Sequence, residues 1–459
     1  MSKKSTKWLA LVSCAILTVG GLSAQSTPPS NSALLDTLVK KGVLTQAEAD
    51  QVLKDSGGAG DAGDKVILDD YIKSLKIYGD IRMREEDRVA VKAGTQDHLE
   101  LDRFRYRFRL GFLGDLNDNV SFGLRLDTNS NDRSSNVTFG TNNATGFGPF
   151  TKGDDGIFLN QIYVSYKPTD WVFTIGRMPL PLATTNMVWY QDFAVEGVNE
   201  QYKFSSGAID AKLNFAQMLY GSPAANDSFG ATPSSDDIWM LAWQASLKYK
   251  INATDFVQIS PVWYNYIQPE QNGTGGGTGT ANPPPFTGVF TAAAGQQQAI
   301  NDLNVLEIPF EYDTMALAPK VVRFFGDFAY NFEGTGRADR FGRPDLKNQN
   351  LAYQLGIQYG KATKAGEWDA KVYWEQIDLF AIDPNLTDPD VTDSLTNLKG
   401  VALSGTYYLT NAVFLGALVA DDMRVNNSTI AAGDSQDTKN PGVALSRYWL
   451  FQLDLNVKF

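Results

Sequence analysis

The chain has 459 residues, 43% hydrophobic, 12% aromatic and 20% charged, with one Cys, one His and a formal net charge of -12. The acidic balance argues against nucleic acid as a partner, because binding phosphate needs a basic surface. His98 is the sole histidine, so there is no His cluster for zinc and at most one imidazole base, while the length fits two or three soluble domains or one large closed sheet.

Lys3, Lys4 and Lys7, the apolar run Trp8 to Leu22 and the small residues around Ala24 read as a signal peptide over residues 1–24. Leu11-Val12-Ser13-Cys14 has the form of a lipoprotein cleavage box, but cutting there would leave only Trp8 to Ser13 as the apolar core. Removal of residues 1–24 takes three Lys from the 40 Lys plus Arg against 52 Asp plus Glu, giving about -15, and takes the only Cys. No later run reaches the ~18 apolar residues of a membrane helix. An exported chain without disulfides must be held by its core or by closure of its sheet.

Residues 25–64 predict a periplasmic helical hairpin followed by a Gly-rich linker. Leu34, Leu35, Leu38 and Val39 recur at helical spacing, and Thr45-Gln46-Ala47-Glu48 supplies a capping box for a second helix ending near Lys54. Ser56 to Gly63 is the linker. The pair reads as a spacer before the main domain, with cell-wall contact as the alternative.

From residue 65 to 459 the dominant hydrophobic period is two. Leu75, Ile77, Ile81 and Met83 alternate with Lys76, Asp80, Arg82 and Arg84; Phe104, Tyr106, Phe108, Leu110 and Phe112 alternate with Arg103, Arg105, Arg107 and Arg109. No soluble core accommodates four arginines on one strand face. The alternation recurs in Val120 to Asp127, Gln161 to Lys167, Trp171 to Arg177, Glu200 to Ser205, Ile209 to Tyr220, Trp239 to Ile251 and Asp255 to Ile267. It continues in Asp302 to Tyr312, Val321 to Phe332, Leu351 to Tyr359, Trp368 to Ile377, Val401 to Tyr408, Ala412 to Ala420 and Arg447 to Phe459. These make sixteen strands; a hairpin inside Thr128 to Asn160 or Gln268 to Asn301 would raise the count to eighteen.

Short connections such as Pro168-Thr169-Asp170, Ser206-Gly207 and Leu409-Thr410-Asn411 alternate with long ones such as Thr128 to Asn160, Met178 to Asn199, Gln268 to Asn301 and Asp378 to Gly400. Short turns at one end and long loops at the other predict an all-β fold, an antiparallel transmembrane β-barrel. A soluble sandwich has no reason for that asymmetry. Faces such as Trp239, Leu241, Trp243, Ala245, Leu247, Tyr249 and Ile251 would meet outer-membrane lipid, with aromatic girdles near the strand ends.

Together, Tyr78-Gly79-Asp80-Ile81-Arg82, the Arg103 to Leu110 strand, Gly176-Arg177-Met178-Pro179 and the stretch Trp189 to Gly197 resemble the putative porin family of Gram-negative outer membranes. Leu453-Asp454-Leu455-Asn456-Val457-Lys458-Phe459 resembles the terminal strand read by the barrel-assembly machinery, with Phe459 as the assembly signal. The resemblance implies a general-porin-like barrel in the bacterial cell outer membrane, a passive diffusion channel for small hydrophilic solutes or ions. Similarity to general porins also implies a homotrimer.

With the apolar parity outside, Arg82, Arg84, Arg103, Arg105, Arg107, Arg109, Arg125, Lys203, Lys212 and Arg323 line the pore, and rings of such residues favour anions. In general porins the third outer loop folds inward, and the resemblance in position assigns Met178 to Asn199 to that constriction. Trp189 and Tyr190 would anchor it, and Asp192 and Glu196 would face Arg105, Arg107 and Arg125.

Competing chemistry is weak. Asp383-Pro384-Asn385-Leu386-Thr387-Asp388-Pro389-Asp390 lacks the Gly and closing Glu of an EF-hand and reads as a solvated acidic loop. Gly273 to Thr280 with Pro283-Pro284-Pro285 reads as a flexible surface loop. No nucleophile elbow is present, so a catalytic role, a metal and a cofactor are not expected. The alternatives are a channel selective for phosphate, other anions or sugars, and a structural or adhesive barrel with an occluded lumen. An outer-membrane hydrolase ranks third, because its base would have to be His98 in a charged loop.

Overall fold

The computed structural model describes residues 40, 41, 45, 71–92, 98–129, 134–142, 146, 147, 156–221, 237–267, 300–317, 319–340, 343–392, 395–426 and 445–459. The signal peptide, almost all of the helical pair, the linker and the Gly/Pro-rich stretch lie outside the described residues. The barrel belongs to a compact unit, Asp70–Phe459.

Sixteen strands form it: β1 (Ser74–Lys92), β2 (His98–Asp115), β3 (Val120–Thr128), β4 (Ile157–Tyr166), β5 (Trp171–Pro179), β6 (Ala194–Ser206), β7 (Ile209–Gly221) and β8 (Ile238–Lys250). Then come β9 (Phe256–Ile259 with Val262–Ile267), β10 (Asn304–Glu307 with Phe310–Thr314), β11 (Val322–Asn331), β12 (Leu351–Tyr359), β13 (Trp368–Ile377), β14 (Leu398–Tyr408), β15 (Val413–Arg424) and β16 (Leu445–Lys458). Each pairs antiparallel with its sequence neighbour, and β1 pairs with β16 with Asp80 opposite Lys458, so the sheet closes. At the seam, Gly79 N donates to Phe459 O at 2.9 Å and Phe459 N donates to Gly79 O at 3.1 Å. Closure satisfies every ladder without an edge strand, as lipid requires.

Thr128 to Asn160 does contain extra strand, but none of it is a spanning hairpin. Val137–Thr138 pairs with Arg105 and Tyr106 of β2, and Thr141–Asn142 pairs with Gly146–Phe147 in a separate two-residue hairpin. Among the described residues the count of spanning strands stays at sixteen.

The burial pattern follows the pleat. On β8 the outward Trp239, Trp243, Leu247 and Tyr249 are 36–55% exposed, whereas Met240, Ala242 and Gln244 between them are 3% or less. Aromatic residues cluster outside at the turn end: Trp171 packs on Tyr202 at 5.0 Å between ring centres, and Tyr359 on Trp368 at 5.7 Å. Pro261 and Pro309 have no N–H to give the ladder and divide β9 and β10 side by side, a local break that matters below.

Candidate functional site

Two outer loops enter the barrel. The loop between β5 and β6, L3, leaves the wall at Leu180 and crosses the lumen. Its Ala183 N donates to Gln244 Oε1 of β8 at 2.9 Å, and Gln244 Nε2 donates back to Ala183 O at 2.7 Å. Thr184 and Thr185 hydroxyls donate to Glu307 of β10 and Asp327 of β11, beside the proline break. Leu182, Met187, Val188 and Trp189 pack on Met218, Met240 and Tyr264 of the wall, with the Trp189 and Tyr264 rings 5.9 Å apart. The loop is thus fixed to one wall by an apolar cluster and to the strand break by hydrogen bonds.

At its far end L3 meets the arginines. Asp192 accepts from Arg107 at 3.2 Å and from Arg109 at 3.0 Å, and both arginines also donate to Asp80 of β1, at 2.7 and 2.6 Å. Burial opposes ionisation of Asp192, but Arg109 and Arg107 overcome it and hold its carboxyl well below the ordinary range. Tyr190 donates to the same carboxylate at 3.3 Å.

Glu196 does not join them. It lies within β6, where it stands opposite Arg177 of β5 in the register and pairs with it at 2.7 Å. The expected contacts of Glu196 with Arg105, Arg107 and Arg125 are therefore corrected. Its strand parity is that of outward-facing Tyr202 and Phe204, a consequence of the period-two pleat.

The other arginines are engaged with the wall or with the loop that follows β3. Arg82 donates to Asn136 at 2.6 Å; Arg84 pairs with Asp454 of β16 at 2.7 Å; Arg103 donates to Glu86 at 2.6 Å. Arg105 reaches Glu86 at 3.4 Å and Ser134 at 3.3 Å, and Arg125 pairs with Asp127 at 3.1 Å. Arg323 is bidentate to Asp313 at 2.6 and 2.8 Å. Lys203 and Lys212 stand opposite each other on β6 and β7 without a carboxylate partner among the described residues.

The second inward loop, between β13 and β14, was not anticipated. L7 carries the acidic stretch Asp383 to Asp390, and its Asp383, Asp388 and Asp390 are enclosed rather than solvated. Asp383 accepts from the hydroxyls of Tyr220 at 2.8 Å and Tyr266 at 3.0 Å. Asp390 pairs with Arg84 at 2.9 Å and lies 3.8 Å from Arg88. L7 also binds L3 through its backbone: Tyr190 N donates to Leu386 O at 2.7 Å, Asp388 N to Asn186 O at 3.1 Å, and Thr387 Oγ1 to Met187 O at 2.7 Å. Sequence reasoning also missed Glu86 and Arg88, which continue the inward parity of β1 beyond Arg84.

The arrangement is a wall of seven guanidinium groups, Arg82, Arg84, Arg88, Arg103, Arg105, Arg107 and Arg109, facing five carboxylates, Asp80, Glu86, Asp192, Asp390 and Asp454. No group of three or more His, Cys, Asp or Glu able to hold a metal ion occurs among the described residues.

A closed sixteen-strand barrel with polar loops folded inside it is a porin-like β-barrel. Residues 92–274 match the family described as "Putative porin", which bears out the resemblance read from the sequence. Solved barrels similar to this chain include Pseudomonas putida OprB, at 10% identity over 84% of this chain and 94% of that one with a TM-score of 0.47. Another is Salmonella typhi OmpF, solved in complex with daunomycin, at 10% identity over 86% of this chain and 99% of that one with a TM-score of 0.44. No curated protein sequence matches the chain.

Proposed function

We propose that this protein is an outer-membrane channel through which small hydrophilic solutes and ions diffuse passively. One observation carries the reading: L3 and L7 fill the lumen toward β1, β2 and β16, but leave a cavity of about 470 Å³ against β9 to β13. The guanidinium groups of the arginine wall are fixed in salt bridges or hydrogen bonds, so they supply a static field.

Selectivity follows from the residual charge. Along β1, β2 and β16 five carboxylates offset most of the seven arginines, leaving a positive excess at that wall to which Lys203 and Lys212 add near the turn end, while Glu307, Asp327, Asp383 and Asp388 set acids elsewhere in the lumen. The preference is therefore for anions, and smaller than the arginine count alone implies. Phe459, whose terminal strand seals the barrel, serves as the assembly signal, and residues 25–64 act as a periplasmic spacer.

Single-channel current of refolded protein in a planar bilayer under a salt gradient tests this. Discrete steps with an anion-favouring reversal potential are expected, and steps favouring cations would overturn the charge reading. Silence from folded protein would transfer support to the occluded barrel, the reading favoured by L7 joining L3 inside the lumen.

A further inference from the structure

The cavity beside L3 differs chemically from the arginine wall. Its lining is rich in carboxamides: Gln191 and Asn186 from L3, Gln258 from β9, and Gln354 and Gln358 from β12. Gln258 Nε2 donates weakly to Ser260 Oγ at 3.4 Å, and Gln358 Nε2 to Gly360 O at 3.3 Å, while their amide oxygens accept no hydrogen bond among the described residues. Each free amide edge offers a donor and an acceptor side by side, which matches the paired hydroxyls of a polyol.

The one guanidinium among the described lining residues is already paired. Arg323 is occupied by Asp313 at 2.6 Å and Glu311 at 3.3 Å. Lys371 Nζ lies 5.1 Å from the centre of the Tyr373 ring. A free anion would find no uncommitted guanidinium, and Lys371, seated on the Tyr373 ring, as its single unpaired cation among the described residues, so a charged solute gains little for the hydration it loses.

The same cavity has an aromatic floor. Phe325 and Tyr373 meet edge to face at 6.2 Å, and they do so because Gly356 lies between them. A Cβ at Gly356 would fall 2.4 Å from the Phe325 ring and 2.6 Å from Tyr373 Cβ. The C–H face of a pyranose packs on such a surface while its hydroxyls reach amides around the rim.

We infer that this cavity is a subsite for neutral polyhydroxylated solutes, a disaccharide above all, seated between Gln258, Gln354, Gln358 and the Phe325–Tyr373 pair. The inference rests on the channel reading, and names the solute class that the channel holds in passing.

The experiment adds sucrose to full-length refolded protein in a planar bilayer carrying a steady ion current. The current should fall along a saturating curve, beyond the fall given by glycerol at equal viscosity. Gln258→Ala and Gln358→Ala together should raise the half-effect concentration about tenfold, since each amide contributes a hydrogen bond to the bound solute. Variants are compared only where a gel that resolves folded from heat-unfolded barrel shows that they fold. An open channel in which sucrose acts only through viscosity, or in which sodium phosphate saturates and sucrose does not, would overturn the sugar subsite and leave the channel standing. An absence of current from folded protein would instead overturn the channel reading, and the subsite with it.

Discussion

Asp390 and Arg84 stand 2.9 Å apart in the lumen, the first on L7 and the second on β1. Arg84 also holds Asp454 of β16, at 2.7 Å. One guanidinium thus ties an outer loop to the two strands whose pairing closes the barrel. The position of L7 is coupled to the seam, and the loop cannot leave without exposing a buried cation.

Removing that charge gives the first prediction. Asp390→Asn keeps the volume but leaves Arg84 with Asp454 and a distant Glu86, so the loss is that of one charged hydrogen bond, about 1–3 kcal/mol. The midpoint of thermal or urea unfolding in detergent should fall, and unitary conductance should rise as L7 loosens. An unchanged midpoint with unchanged conductance would refute the anchoring role.

The strands were legible because lipid and lumen impose opposite chemistry on alternate residues. Phe104, Tyr106 and Phe108 between Arg103, Arg105 and Arg107 leave no other placement. The upper end of β1 was not legible, because Glu85 and Asp87 make the outward parity acidic and end the greasy alternation, although pairing with β2 continues to Val91. Cutting the strand at Arg84 hid Glu86 and Arg88. L7 was hidden for another reason: Asp388 and Asp390 have the composition of a solvated loop, and the arginine that receives Asp390 lies 306 residues away in sequence. A loop's own residues do not state which way it turns.

Asp192 predicts a pH response by its absence. Burial raises its affinity for a proton, but Arg109 and Arg107 outweigh this and leave its carboxyl well below the ordinary range. A depressed carboxyl contributes stability that is present above the unfolded value of about 3.9 and is lost as pH falls through the folded value. The L3 contact should therefore hold from neutral pH down to about 4. Asp192→Asn should raise conductance throughout that range, and Arg107→Ala should raise it while lowering anion preference. Conductance and selectivity unchanged in both variants would sink the assignment.

Closure of the barrel depends on a close approach at Gly79. A Cβ there would lie 2.3 Å from the Arg109 carbonyl oxygen and 2.6 Å from the Phe459 ring. The ring can move but the carbonyl belongs to the β2 ladder. Gly79→Ala should cost about 1–3 kcal/mol by overpacking. Adding Phe459→Ala should not restore it, and refolding yield on a gel resolving folded from heat-unfolded barrel would show this. Full rescue by the double variant would place the conflict at the ring instead.

Asp388 gives the opposite sign to Asp192. Burial and then the neighbouring Asp390 charge raise its carboxyl to about 7. Glu375 adds to that repulsion and Lys371 opposes it, while Asn186 and the Asp390 N–H contact its oxygens at 3.5 and 2.7 Å. A raised carboxyl contributes stability fully present below the unfolded value of about 3.9 and lost as pH rises through the folded value. The seat of L7 should weaken from about pH 4 to about pH 7, because over that range the seated loop must hold a proton that the released loop has already given up, and above it both charges stand side by side. Conductance should therefore climb across that interval in the unmodified protein. Asp388→Asn, which cannot ionise, should flatten the climb while leaving the acidic-pH conductance in place. A variant that still opens with rising pH would assign the response to another group.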